Sequence, residues 1–346
     1  MLFVYDLTKS LEWDHIVKSF QQYDVYYLSG YAKAFYLNGD GEPLLFYYEN
    51  ENIRGINVVM KRDISDSKRF QGKIDKNKYF DFATPYGYGG WLIEGEDDIK
   101  PLIDAYEEWC QENRIISEFV RFHPMLKNHK GLDRHYKIVE FGKTIAMDLS
   151  SEEIIWANLT SKNRNMIRKA QKNGLQIKCA QNEEIYQVFK EIYDQTMNRD
   201  SAKPYYFFHE DFYESIRNDL GDYARVFYAQ SEDGTIAAAT IIIGAGEMLN
   251  YHLSGSRTEC QKMAPTNLML YEVALWGCEH GYRSFHMGGG VGTKEDGLYS
   301  FKKAFYRGEP KTYCIGKKIF NEEIYKRLLE LSDDIQDHTY FPEYRG

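Results

Sequence analysis

The sequence predicts an α/β protein of mixed sheets (an α+β arrangement) in two tandem domains, and three observations carry that reading. At 346 residues the chain exceeds one ordinary hydrophobic core, which points to two domains of about 150 to 190 residues. One order of apolar alternation, turns and helical spacing occurs twice. Each copy closes with a helix-spaced stretch and then a short apolar run, the pattern of a strand that returns parallel to its sheet.

In the first copy, Ala34 to Gly41, Pro43 to Tyr48 and Asn57 to Lys61 read as strand, glycine turn, strand, loop and strand. Val226 to Gly234, Ile236 to Gly244 and Met248 to Leu253 repeat the order. Each set leads to a helix carrying Tyr-Glu, at Tyr106-Glu107 and Tyr271-Glu272, and then to a strand, Glu118 to Phe122 or Arg283 to Met287. The alternative is a β-meander plus helix arising twice by chance. Leu268, Tyr271, Ala274, Leu275 and Cys278 recur at helical spacing over Asn267 to His280, and Gly281 stands where a left-handed cap ends a helix. The boundary is expected near Asp148, between a strand at Thr144 to Met147 and a capping box of Ser150 with Glu153. That gives domains 1–148 and 149–346.

Composition narrows the function classes. Aromatics make up 16% of the chain, with 29 Tyr and 20 Phe, which suits an aromatic-rich core or ring-lined clefts. The five Cys show no paired spacing, so neither a disulfide frame nor a zinc or other metal site is expected. The N-terminus has no basic leader, and the longest apolar run, Thr235 to Gly246, is too short to cross a bilayer. No integral membrane segment and a cytoplasmic location are therefore expected. A net charge of −9 argues against broad nucleic-acid binding.

The charge is unevenly placed. Ile154 to Asn182 contains no Asp or Glu, while Lys162, Arg164, Arg168, Lys169 and Lys172 crowd one segment. At helical angles Trp156, Leu159, Met166, Ile167 and Ala170 fall on the opposite side. This is either a solvated basic face or a site for a phosphate-bearing ligand. After Met287, Gly288, Gly289 and Gly290 offer backbone that no side chain shields. Gly297 to Phe305 then places Lys302 and Lys303 among aromatics, read as an extended segment with the two lysines facing opposite ways. Only the second copy carries these features, so chemistry is expected there, and the first copy contributes the loop Tyr86-Gly87-Tyr88-Gly89-Gly90. No Gly-x-Ser-x-Gly elbow is present, Cys278 lacks an evident His partner, and His252, His280 and His286 read as core or surface residues.

Four segments, in order, carry a resemblance: Tyr86 to Gly90, Phe119-Val-Arg-Phe-His-Pro124, Ser161 to Ala170, and Gln261 to Tyr306. They resemble segments of FemABX-type aminoacyltransferases and the wider tandem GNAT-type acyltransferases. The resemblance implies two tandem GNAT-like domains with the active site in the C-terminal one. The implied reaction is amide formation on an amine of a peptidoglycan or sugar-nucleotide precursor, small or lipid-linked, from an activated acyl or aminoacyl donor. It places a functional lysine at Lys302, with Phe301 shaping the adjoining channel. It also suggests contacts from Lys33 and Arg199 to a nucleotide-sugar diphosphate; Tyr86, Tyr88, Tyr205, Asn267 and Gly288 to Gly290 complete the substrate-binding candidates. Lys162, Arg164, Arg168 and Lys169 are the donor-phosphate candidates.

The chain departs from the pattern at Arg257 to Asn267, where both glycines of the usual pyrophosphate loop are missing. That departure weakens acetyl-CoA as donor and favours aminoacyl-tRNA, which would make charged tRNA a partner, or a modified acyl-carrier site; no cofactor is expected to be held permanently, and the co-substrate is left as aminoacyl-tRNA or acyl-CoA. The other readings are an acyl-CoA-dependent N-acetyltransferase acting on an amino sugar, and a non-catalytic binding protein with a degenerate donor site.

Overall fold

The computed structural model describes residues 1–95, 98–332, 335 and 337–346. The chain packs as two units, Met1–Phe141 with Tyr313–Gly346, and Gly142–Thr312. The first unit begins with β1 (Leu2–Tyr5), α1 (Ser10–Ser19), α2 (Ser29–Leu37), β2 (Glu42–Glu49), β3 (Arg54–Asp63), β4 (Phe80–Ala83), β5 (Leu92–Glu94), α3 (Lys100–Glu112) and β6 (Ile115–Arg121). β7 (Lys137–Asp148) leads into the second unit, which continues through α4 (Glu152–Asn158), α5 (Ser161–Lys172), β8 (Gln176–Ala180), α6 (Glu183–Arg199) and α7 (Glu210–Asn218). There follow β9 (Ala224–Gln230), β10 (Ile236–Ala245), β11 (Met248–Ser256), α8 (Pro265–Glu279), β12 (Ser284–Gly288) and α9 (Gly297–Lys303). β13 (Lys311–Ile319) and α10 (Glu322–Leu331) return to the first unit.

The duplication is evident in the sheets. The first unit runs β1-β2-β3-β4-β6-β13 and the second β8-β9-β10-β11-β12-β7. In both, the strands are antiparallel up to a single parallel neighbour, β4 with β6 or β11 with β12, and the last pair is antiparallel again. A parallel pair needs a crossover, supplied by α3 and α8. The last strands are exchanged along the chain. β7, which follows β6, gives Ile145–Asp148 to β12, while β13, which follows the second unit, gives Ile315–Ile319 to β6. The expected division at 148/149, with 149–346 as one domain, therefore differs from the observed packing, because the C-terminal segment completes the first sheet.

Local structure differs from expectation at three places. Ala34 to Leu37 belongs to α2 and not to a strand: Tyr31, Ala32, Ala34 and Phe35 are all buried, a helical face that a window beginning at Ala34 hides. The first strand of that copy is β1. The cap of α4 is Ser151, whose hydroxyl accepts from Ile154 N, while Ser150 bonds the Asp148 carboxylate. The basic region is two helices, because Thr160 caps α5 anew by accepting from Asn163 N at 3.3 Å. At α8 the expected end holds. Gly281 has φ +84°, Tyr282 N donates to Gly277 O at 2.9 Å, and Gly281 N donates to Cys278 O, a Schellman closure.

The second unit's core joins Ile145, Met147, Phe285 and Met287 of the sheet to Leu268 and Ala274 of α8. In the first unit Phe46, Phe82, Val120 and Phe122 pack with Tyr106 of α3. A smaller cluster of Ile64, Phe70 and Ile116 is closed by Tyr325, Leu328 and Tyr344 from the C-terminal segment. Beside it the fully buried Asp81 accepts from Arg62 Nε at 2.7 Å, Arg345 Nε at 2.6 Å and Tyr344 Oη at 2.9 Å. Burial alone would raise its pKa, but the Arg345 and Arg62 guanidiniums outweigh this and hold it below the usual range. No helix among the described residues is long and apolar enough to cross a membrane.

Truncation after Thr312 tests the exchange. It removes the β6 partner, two of the three Asp81 partners (Arg345 and Tyr344) and the buried Tyr313, Ile315, Tyr325, Leu328 and Tyr344 side chains, each worth roughly 1.5–3 kcal/mol, a total comparable with whole-domain stability. Amide-exchange protection of Ile115–Arg121 is expected to collapse while that of β9 to β11 holds.

Candidate active site

β11 and β12 pair over only Met248–Asn250 and Ser284–His286. β11 continues to Ser256 bonded to β10, and β12 shifts register between His286 and Gly288 as it follows β7. An opening is left between two parallel strands, and beyond it the chain makes the glycine turn and α9.

α9 begins because Asp296 caps it: Oδ1 accepts from Tyr299 N and Oδ2 from Val291 N, each at 2.9 Å. The expected extended segment is therefore helical, and neighbouring side chains lie about 100° apart and not opposite. Lys302 is only 8% exposed; its Nζ donates to Gly289 O at 2.6 Å and stands 5.7 Å from the Tyr251 ring centre. Burial pushes its pKa down to about 8, opposed by the Asp296 charge. Lys303 instead donates to Gly308 O. Phe301 packs on the second unit's core with its ring 5.3 Å from Phe305, anchoring the helix that carries Lys302.

The protein's own atoms already occupy the space beside the glycine triplet. Gly288 adopts φ +74°, and a Cβ there would lie 3.4 Å from Lys302 Nζ. A Cβ on Gly289 would meet Lys143 O at 2.7 Å, and one on Gly290 would meet Lys294 O at 2.1 Å. The close chain packing that these glycines permit accompanies a Gly289 carbonyl turned onto the lysine.

Asn267, in the first turn of α8, donates to Asn163 Oδ1 at 2.8 Å, and Asn163 donates to Ala304 O at 3.4 Å. Thr160 N reaches the same carbonyl at 2.9 Å. The starts of α5 and α8 and the end of α9 are thus tied together. No side chain caps α8, which starts from Ala264 in the left-handed region followed by Pro265. Its first-turn N–H groups and positive dipole end suit an anion. On α5, Lys162, Arg168, Lys169 and Lys172 are exposed and Arg164 half-buried, and none forms a salt bridge among the described residues. Arg168 lies 5.3 Å from the Trp156 ring centre.

Arg199 ties the end of α6 to the end of β11, donating to Ser256 O at 2.9 Å and Thr258 Oγ1 at 3.3 Å. Tyr205 is exposed, with its ring 6.2 Å from the buried Phe208. Lys33, Tyr86 and Tyr88 lie in the first unit. Lys33 is half-buried on α2. Tyr86 O accepts from Tyr31 Oη at 2.6 Å, and the Tyr88 ring stands 5.6 Å from Tyr26 and 5.4 Å from Tyr313. Gly87 and Gly90 take positive φ, and Gly89 N donates to Arg121 O at 2.8 Å. This loop continues the β4 to β6 pairing where the second unit's counterpart lies open.

Lys302, Phe301, Gly288 to Gly290, Asn267 and the start of α5 thus converge in the second unit. Sequence reasoning missed Asn163, Tyr251 and Asp296. Asn163 was detectable as a polar residue in line with Ile167 and Ala170 on the apolar stripe, and Asp296 as a capping residue.

Because backbone oxygens occupy the space at both glycines, Gly289→Ala and Gly290→Ala are each expected to lower stability by about 1–3 kcal/mol. Activity should fall alongside the melting temperature, read by denaturation and turnover of the same preparations.

Residues 159–303 match the acetyltransferase (GNAT) domain family. Among solved structures, FemX superposes with a TM-score of 0.65 at 16% identity, over 92% of this chain and 98% of that one. L-PGS from Bacillus licheniformis gives 0.55 at 17%, over 86% and 90%. The C-terminal domain of a putative lysylphosphatidylglycerol synthetase from Agrobacterium fabrum gives 0.58 at 13%, over 94% and 96%. No curated protein matches the sequence. The GNAT match runs from Leu159, just before α5, to Lys303 at the end of α9, and the fold of the whole chain is similar to that of FemX.

Proposed function

We propose that the chain transfers an aminoacyl or acyl group to an amine of a peptidoglycan or sugar-nucleotide precursor of the cell envelope, small or lipid-linked, in the cytoplasm. The carrying observation is the buried Lys302 ammonium held on the Gly289 carbonyl beside the opening between β11 and β12. A neutral acceptor amine attacks the donor carbonyl; the C–N bond forms, the ester or thioester bond breaks, and the amine proton leaves with the alkoxide or thiolate. Lys302 stabilises the oxyanion between these events.

The α5 cations and the uncapped start of α8 favour a donor rich in phosphate, which aminoacyl-tRNA and acyl-CoA share. The fold likeness to FemX and L-PGS favours the aminoacyl donor. The GNAT match favours acyl-CoA, and with it a second reading as an amino-sugar N-acetyltransferase. Lys33, Tyr86, Tyr88, Arg199 and Tyr205 are the acceptor candidates, although Arg199 already serves β11. Turnover with charged tRNAs against acyl-CoAs, each carrying a labelled acyl group, decides the donor; turnover with neither removes this function.

Lys302→Met is expected to lower kcat by about two to three decades, the usual cost of losing one oxyanion donor. The cation exists below a pKa of about 8, so kcat should fall as pH rises through about 8. A rate that rises there would instead assign Lys302 the role of a base. Changing Lys162, Arg168 and Lys169 together to Gln is expected to raise the donor KM and flatten its salt dependence. An unchanged salt slope would remove α5 from the donor site.

A further inference from the structure

Asp296 stands between two pieces of the site. Its Oδ2 accepts from Val291 N, at the exit of the glycine turn, and its Oδ1 from Tyr299 N, in the first turn of α9. Gly290 lies so near that a Cβ there would come within 2.4 Å of Asp296 Oδ1. One carboxylate therefore fastens the turn that presents the Gly289 carbonyl to the helix that presents Lys302.

We propose that Asp296 is the positioning residue of this site, fixing the Gly289 carbonyl against Lys302 Nζ and supplying the lysine's balancing negative charge. The inference rests on the acyltransferase reading for its kinetic arm only. Titratable groups on the elements around Lys302 include Tyr251 and His252 on β11, His286 on β12, Lys143 and Asp148 on β7, Lys162, Arg164, Arg168, Lys169 and Lys172 on α5, and Glu295, Asp296, Tyr299 and Lys303 at α9. Lys143 and Glu295 pair with each other at 3.6 Å, and burial drives His252 down to about 3, so that it stays neutral. The charged α5 side chains are at least partly exposed to solvent. Asp296 is the group whose charge acts on Lys302, in the direction that keeps it protonated.

The test is Asp296→Asn, which nearly preserves shape but removes the charge and one of the two acceptors. Two readouts are taken. Titration of the lysine by NMR of 15N-lysine-labelled protein without substrate, with Lys302→Met to assign the signal, is independent of any reaction. Its midpoint is expected to move below the wild-type value of about 8, because an acid that favoured the ammonium has gone. In turnover, kcat should fall about ten- to a hundredfold with both KM values held, as small misplacements do. An unchanged Lys302 midpoint, or an unchanged kcat in an enzyme otherwise shown to turn over, overturns the proposal. Should Asp296→Asn fail to fold, Asp296→Ser, which keeps a capping oxygen, is read the same way. Failure of both to fold would make Asp296 a structural cap and overturn the positioning role. If no turnover is ever found, the titration still decides Asp296 while the acyltransferase reading alone fails.

Discussion

The exchange of final strands is the constraint on which the rest depends. β12 has an antiparallel neighbour only because β7, synthesised as the end of the first copy, is given to the second. The same strand walls the site, since Lys143 O fills the space a Gly289 side chain would need and Thr293 lies within 2.6 Å of a Cβ built on Gly142. In turn β6 waits for β13, the last strand of the chain. Pairing at such sequence separation costs loop-closure entropy before any contact repays it. The Asp81 cluster offsets part of that cost by binding Arg345 and Tyr344 in the first unit, where an unpaired buried carboxylate would be strongly destabilising.

Identical strand order did not keep the copies chemically alike. In the second unit the parallel pair parts after Asn250 and His286. In the first, the chain leaving β4 stays on β6 through Thr84 N to Phe119 O and Gly89 N to Arg121 O, and Gly87 and Gly90 take the left-handed conformations that keep it there. Gly87 also lets the Tyr26 ring press on its backbone, within 2.4 Å of a built Cβ. The first unit closes by hydrogen bonds what the second leaves unpaired.

Long elements with a strong period were legible in the sequence: the α8 stripe, its Gly281 ending and the hairpin β10 to β11 follow from local pattern alone. Ala34 to Leu37 misled because four apolar residues fit either period; the decision came from Tyr31 and Ala32, one turn earlier, packing with them. Lys302 was legible as a residue, but its backbone was not, since a helix of only seven residues is stabilised by its cap and tertiary contacts more than by propensity. The Gly289 carbonyl and the Asn163 amide are partners fixed by folding and have no spacing to betray them.

Lys302 shows how the fold trades stability for chemistry. Its ammonium is buried against one carbonyl and a ring, with Asp296 offsetting only part of the lost hydration, so its pKa sits at about 8 against 10.5 for a free lysine. A difference of that size corresponds to about 3 kcal/mol of destabilisation of the charged folded state. The sign follows from proton binding: between about 8 and 10.5 the unfolded chain holds a proton that the folded chain has released, so this group's contribution to stability rises with pH across that window. Below about 8 both states are protonated and the full cost is present. In the proposed role the oxyanion needs the cation, and the cation exists where the lysine is least favourable to the fold; on that proposal activity and this term of stability run in opposite directions through the same titration.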